Sequence, residues 1–242
     1  MNKTKRIIEQ LLFPKAEWES MKVNKVQECR KVDSNQSTTS LHYELCPNAS
    51  FTGIYEMPVV QPIQCEVPRN IIAVYRYPRF VPLDCAGHFY TSDNRFEYVW
   101  TNPYKGLESI RHFSLIISPD FSVYSNFLLP QKTWNIFRNK LLASWWQRNG
   151  CKVIPNVSWL YGCDYAISFD GWPKESVIAV NSTGINRNLR CQKMWLHGYY
   201  KMLEALRPTH ILRYGGKVPG ECENISTYYE NNNKTFSHNG RK

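Results

Sequence analysis

The side chains best suited to chemistry stand just past apolar segments. Residues 115–124 read LIISPDFSVY, in which a run of aliphatic residues stops at Ser118-Pro119-Asp120 and is followed by Phe121 and Ser122. Asparagines and hydroxyls follow the other apolar runs in the same way. Asn156, Ser158 and Trp159 lie in NVSW, Asn181, Ser182 and Thr183 in NSTGIN, and Tyr214 precedes two glycines in RYGG. FDGWP adds Asp170. Two carboxylates can divide acid and base roles when their surroundings push their pKa values apart, so Asp120 and Asp170 are the candidate catalytic pair. Ser122, Asn156, Ser158, Asn181, Thr183 and Tyr214 are candidate binding groups, and Trp159 is a candidate stacking wall. The same residue types also cap helices and satisfy turns. Asp120 and Ser122, however, lie too far ahead of the helix expected near residue 131 to cap it. His88, in GHFYTSD, reads as a third site group or as a satisfied rim residue. The glycine-rich YGGKVPG, residues 214–220, reads as a phosphate cradle or as a plain turn.

These residues share a site only if the elements ahead of them point the same way. Apolar, β-branched strands are expected over 70–77, 114–118, 151–159, 176–183 and 210–216. Helices are expected through NRFEYVW (94–100), from Pro103 through YKGLESIRHF, over 131–149 with Gly150 as its stop, and from about 187 to 206 ahead of Pro208. NRFEYVW carries a capping-box pattern in Asn94 and Glu97. Strands separated by helices of 10–20 residues signal a parallel sheet, because a parallel return needs a crossover. Continuous apolar runs fit strands covered on both faces. The fold class is therefore α/β, with a mainly parallel sheet that is either open or a partial (β/α) barrel. In either form, ligands bind beyond the C-terminal ends of the strands, where a polar cup with aromatic walls would form.

The chain has 242 residues, enough for one sizeable core. Residues 5–13 can form a short amphipathic helix, 21–50 read as an irregular extension, 51–220 as a single α/β domain, and 221–242 as a disordered polar tail. The eight cysteines include no CxxC pair and no Cys/His cluster with zinc spacing, so no metal site is expected. They read as reduced thiols of a cytoplasmic protein; the rival reading is a secreted chain with four disulfides. No signal peptide is evident, and no apolar run is long enough to cross a bilayer. The net charge of +10 is spread along the chain and favours polyanionic partners without defining a site. On the last long helix, Arg190, Lys193, His197 and Lys201 share a stripe opposite the apolar face. That stripe is a weak nucleic-acid candidate against the simpler reading of a solvated face. No GxSxG, P-loop, HExxH or GxGxxG pattern occurs, so no cofactor is assigned.

GHFYTSDNRFEYVWTNP, SPDFSVY, WWQRNGCKVIPNVSW, FDGWPKESVIAVNSTG and GYYKMLEALRPTHILRYGG occur in this order between residues 87 and 216. Together they resemble the bacterial and phage family known as domain of unknown function number 4417, over about residues 57–220. The resemblance implies a phage or mobile-element origin and carries no catalytic residue to transfer. Two functions remain open. One is a ligand binder or hydrolase-like enzyme using the polar cup on a small ligand. The other is a non-catalytic module whose basic surface meets nucleic acid or a host protein.

Overall fold

The computed structural model describes residues 40–76, 83–161 and 165–229. The chain divides into two compact units, Met1–Phe51 and Thr52–Lys242. In the first, the described residues form a 3-10 turn over Tyr43–Leu45. The helix expected over 5–13 and the segment 21–39 lie outside the described residues.

Besides the short strand Met57–Pro58, the second unit holds seven strands among the described residues: β1 (Asn70–Ala73), β2 (Cys85–His88), β3 (Leu115–Ile117), β4 (Val153–Ile154), β5 (Val177–Asn181), β6 (His210–Tyr214) and β7 (Ser226–Tyr229). β1 to β4 pair in parallel in chain order, and so do β5 to β7. A parallel bridge between Asn156 and Ala179 joins the two groups, with Val157 N donating to Ala179 O at 2.9 Å and Ala179 N to Pro155 O at 2.7 Å. The order thus runs without reversal from β1 to β7, and every neighbour in that run is parallel.

Helices fill most of the crossovers. α1 (Tyr98–Thr101) and α2 (Pro103–Ile110) follow β2, α3 (Leu129–Arg148) follows β3, α4 (Tyr165–Phe169) follows β4, and α5 (Leu189–Leu206) follows β5. Asn102 caps α2, its Oδ1 accepting from Lys105 N at 3.1 Å, and Pro103 occupies the first turn, where no N–H is needed. α3 stops at Gly150, which adopts φ 84°. Asn94 does not start a helix; Asp93–Arg95 is a 3-10 turn, and α1 begins only at Tyr98.

Alternation along the strands separates two buried layers. Ala86, Ile117, Ile154, Val177, Ala179, Leu212, Tyr214 and Tyr229 cluster on one face, with Ile71 and Leu115 packed against them. Side chains on the other face meet the helices, as Arg213 does with Trp195 of α5. Val177, Ile178 and Val180 are all buried, each contributing about 1.5–3 kcal/mol. Two fully buried cations, Lys140 and Arg213, replace apolar packing. Lys140 of α3 is fully buried and donates to the carbonyls of Ile167, Ser168 and Asp170 at 2.7–3.0 Å. It thereby closes the C-terminal end of α4, whose last carbonyls have no helical partner. Burial pushes its pKa down to about 7, against the charge of Asp170. Arg213 is considered below.

The sequence leads one to expect five strands, and β2 and β7 are the additions. β7 also shifts a boundary: residues 226–229 are a strand paired to β6, not part of a disordered tail. Residues 230–242 lie outside the described residues.

Candidate functional site at the strand exits

The exits of β3, β4 and β5 meet at one carboxylate. Ser118, fully buried just past β3, donates its backbone N–H to Ile154 O at 2.9 Å, while its Oγ accepts from Asn156 N at 2.8 Å. This pins the first exit to the second. Two residues on, Asp120 Oδ1 accepts from Asn156 Nδ2 and its Oδ2 accepts from Asn181 Nδ2, both at 2.8 Å.

Backbone groups fix the orientation of both carboxamides. Thr183 N–H can only donate, and it donates to Asn181 Oδ1 at 2.8 Å, so Asn181 must turn its NH2 to Asp120. The carbonyl of Pro119 can only accept, and it takes a hydrogen from Asn156 Nδ2 at 3.2 Å. Asn156 Oδ1 then receives the Tyr90 hydroxyl at 3.1 Å. Asp120 is therefore surrounded by donors, the arrangement an ionised carboxylate requires. Burial acts in the opposite direction and raises its pKa; the two amides lower it, and the charge of Asp93 raises it again, leaving it above the ordinary carboxylate value. Asp93 is held nearby by Ser122, whose N–H and Oγ donate to its two carboxylate oxygens at 3.0 and 2.7 Å.

Aromatic rings wall this carboxylate from the β2 and β6 side. Tyr90 stacks on Tyr214 at 4.5 Å, and His88 packs on both at 5.1 and 5.0 Å. His88 Nδ1 accepts from Tyr90 N–H at 3.0 Å, which places the ring proton on Nε2. Burial, and next the charge of Asp120, push the Tyr90 hydroxyl well above its usual pKa, so it stays a donor. Gly215, at φ 92°, lets the β6 exit come against the β5 exit, since a Cβ there would lie 2.9 Å from Thr183 N.

The residues singled out from sequence divide accordingly. Asp120, Asn156 and Asn181 converge, Thr183 orients Asn181 through its backbone, and Tyr214 is a wall. Ser122 serves Asp93 rather than Asp120. Ser158 is half-buried on the connection after β4. Trp159 turns the other way, packing on Trp195 and Tyr199 of α5 at 5.3 and 6.4 Å, over Gly198. It is a helix-to-sheet spacer, not a wall of the cup. Asp170 does not join Asp120. It follows α4 and precedes β5, at the N-terminal end of the strands, beside Gly53 and with its carbonyl on Lys140. The second carboxylate near Asp120 is Asp93. Arg190 and Lys193 are exposed on the first turns of α5, and Lys201 is paired with Glu204 at 2.8 Å. Among the described residues no three His, Cys, Asp or Glu side chains converge as a metal-binding cluster. No helix among them is long and apolar enough to cross a membrane.

A run of parallel strands alternating with helices, with polar residues gathered beyond the strand exits, defines a parallel α/β protein. The chain belongs to the family described as Domain of unknown function (DUF4417), whose model matches residues 49–230. It is similar to the Gene 1 protein of Mycobacterium phage L5, 28% identical over 201 residues, covering 78% of this chain and 86% of that protein. It is likewise similar to the Gene 1 protein of Mycobacterium phage D29, 28% identical over 197 residues, covering 77% and 72%. No solved structure matches it significantly.

Proposed function

We propose that the protein binds a small polar ligand over Asp120 and uses that carboxylate as a general base in a hydrolase-like reaction. One observation carries this reading: a single carboxylate from the β3 exit is gripped by carboxamides from the β4 and β5 exits. Buried polar groups cost stability unless they are fully partnered, and a purely structural core gains nothing from a carboxylate there. A carboxylate whose pKa is raised by burial, yet held by donors, is a stronger base than an exposed one. Tyr90 and Asn181 position the ligand, and Tyr214 and His88 form its walls. Asp93, partnered by Ser122, tunes Asp120 through its charge.

The sheet is read as a partial barrel around this site. The chain-order strands, the apolar cluster drawn from all of them and the Tyr229 hydroxyl donating to Pro68 O at 2.5 Å, which ties the last strand to the approach of the first, support that reading. Six free thiols among the described residues support a reducing, cytoplasmic setting. The phage relatives support a phage or mobile-element origin.

The test is a panel of p-nitrophenyl substrates (acetate, phosphate, bis-phosphate and glycosides) given to the wild type, Asp120→Asn and Asp170→Asn. Turnover of a panel member should fall on the order of 100-fold or more in Asp120→Asn and persist in Asp170→Asn. No turnover by the wild type, or equal turnover by Asp120→Asn, would remove the enzymatic reading.

A further inference from the structure

A second site-like feature lies on the connections that feed the cup, on the outer side of the sheet. Tyr161, on the connection after β4, faces the first turns of α5 across a groove of about 540 Å³ lined by Leu189, Arg190, Lys193, Met194 and His197. Tyr161 and Leu189 are 52% and 64% exposed, large apolar surfaces to leave in water. Arg187, in the turn just ahead of α5, is exposed as well.

The charges here are arranged against stability. A helix N-terminus carries partial positive charge and favours acidic neighbours, yet the first turn of α5 holds none. Arg187, Arg190 and Lys193 gather at that pole, and among the described residues none of them is ion-paired. Farther along the same helix Lys201 is paired with Glu204, and just past its end Arg207 is paired with Glu175, at 2.8 and 2.9 Å. The simple expectation of a basic stripe through Lys201 is therefore displaced. On α5 the uncompensated charge sits at the first turns, around the groove.

We infer that this groove binds single-stranded nucleic acid, with Arg187, Arg190 and Lys193 on successive phosphates and a base stacked on Tyr161. Cations spaced along a channel with an exposed aromatic and apolar floor fit a single strand, whose bases are free to stack. A duplex keeps its bases paired and offers nothing to Tyr161 and Leu189. An acidic peptide would satisfy the cations but not require the ring. His197 is held in place by Tyr165, whose hydroxyl lies 2.8 Å from Nδ1, and it packs edge-on against Tyr161 at 5.8 Å, which steadies the ring. This inference goes beyond the Asp120 reading and does not depend on it.

The experiment is fluorescence anisotropy with a labelled twelve-nucleotide oligothymidylate, a duplex of the same length and a twelve-residue polyglutamate. Three phosphate contacts to a single strand give a log–log salt slope of about −2, so affinity should weaken about 20-fold between 50 and 200 mM salt. The triple variant R187E/R190E/K193E should lose the binding and the slope. Tyr161→Ala should weaken it by about 5- to 100-fold, and Tyr161→Phe should retain it. Lys201→Glu and Asp120→Asn should bind as the wild type does, the latter keeping this result separate from the fate of the catalytic reading. The inference is overturned if the triple variant, with an unchanged circular dichroism melt, still binds the oligonucleotide. It is equally overturned if duplex or polyglutamate binds as tightly as the single strand, or if Lys201→Glu costs as much as the triple variant.

Discussion

The ion pair between Arg213 and Glu221 offers a sharp test of how the β6–β7 connection is held. Arg213 of β6 has no exposed surface and Glu221 has 1%. Arg213 Nε donates to Glu221 Oε2 at 2.7 Å, and one terminal nitrogen donates to Val180 O at 2.9 Å. The guanidinium also lies 4.7 Å from the centre of the Trp195 ring, and its other terminal nitrogen is buried without a partner. Glu221 Oε1 in turn accepts from Val218 N at 3.0 Å. Glu221→Gln removes the negative charge, keeps the volume and turns one donor against another. Removing one member of a buried pair costs about 3–5 kcal/mol, because the surviving charge is left uncompensated. For a unit of this size each kcal/mol lowers the melting temperature by about 2–4 °C, so a fall of about 6–20 °C is expected. Replacing both partners by apolar residues of similar size, as in Arg213→Met with Glu221→Leu, should recover most of the loss. Thermal and urea unfolding followed by circular dichroism would measure both variants. A single variant within 1 kcal/mol of the wild type, or a double variant no better than the single, refutes the reasoning.

Two further outcomes follow from the geometry. The raised pKa of Asp120 means that the folded state holds this proton more tightly than the unfolded chain. Its contribution to stability is therefore complete below the ordinary carboxylate value and declines as pH rises through the raised one. Urea midpoints of the wild type and Asp120→Asn, measured across the acidic range, should differ by that pH dependence; parallel curves would contradict it. At Gly198 a Cβ would lie 2.1 Å from Trp159 Cδ1, with Trp195 packed behind the ring. Gly198→Ala should therefore cost about 1–3 kcal/mol in urea unfolding despite the better helix propensity of alanine, and a stabilised variant would show that the ring is free to move.

The parts legible in the sequence are those whose signal is local. β3, β5 and β6 are continuous aliphatic runs, and their direction follows from the helices between them. That direction alone places Asp120, Asn156 and Asn181 at one end. β2 gives no such signal, because Cys-Ala-Gly-His has no β-branched residue and owes its strand to the neighbours on either side. Tyr90 and Asp93, which follow it, are lost with it. β7 is Ser-Thr-Tyr-Tyr in a polar stretch, and its burial comes from tertiary contacts, including the Tyr229 hydroxyl on Pro68. Asp170 is misplaced by sequence reasoning for another reason. The short α4 ahead of it carries too little periodicity to be seen, so nothing in FDGWP, which precedes the strand at 176, shows that its carboxylate stays at the approach. Trp159 shows that an extended chain alternates sides: three residues beyond Asn156, the ring has crossed to the helical layer.

The strand order also bears on how the protein comes into being. Each strand lies beside the one made just before it, so pairing can advance in step with synthesis, and none has to wait for a distant partner. Asp120 would meet its first amide once Asn156 has emerged and its second only with Asn181. A nascent chain halted between those points would carry a half-gripped carboxylate facing water.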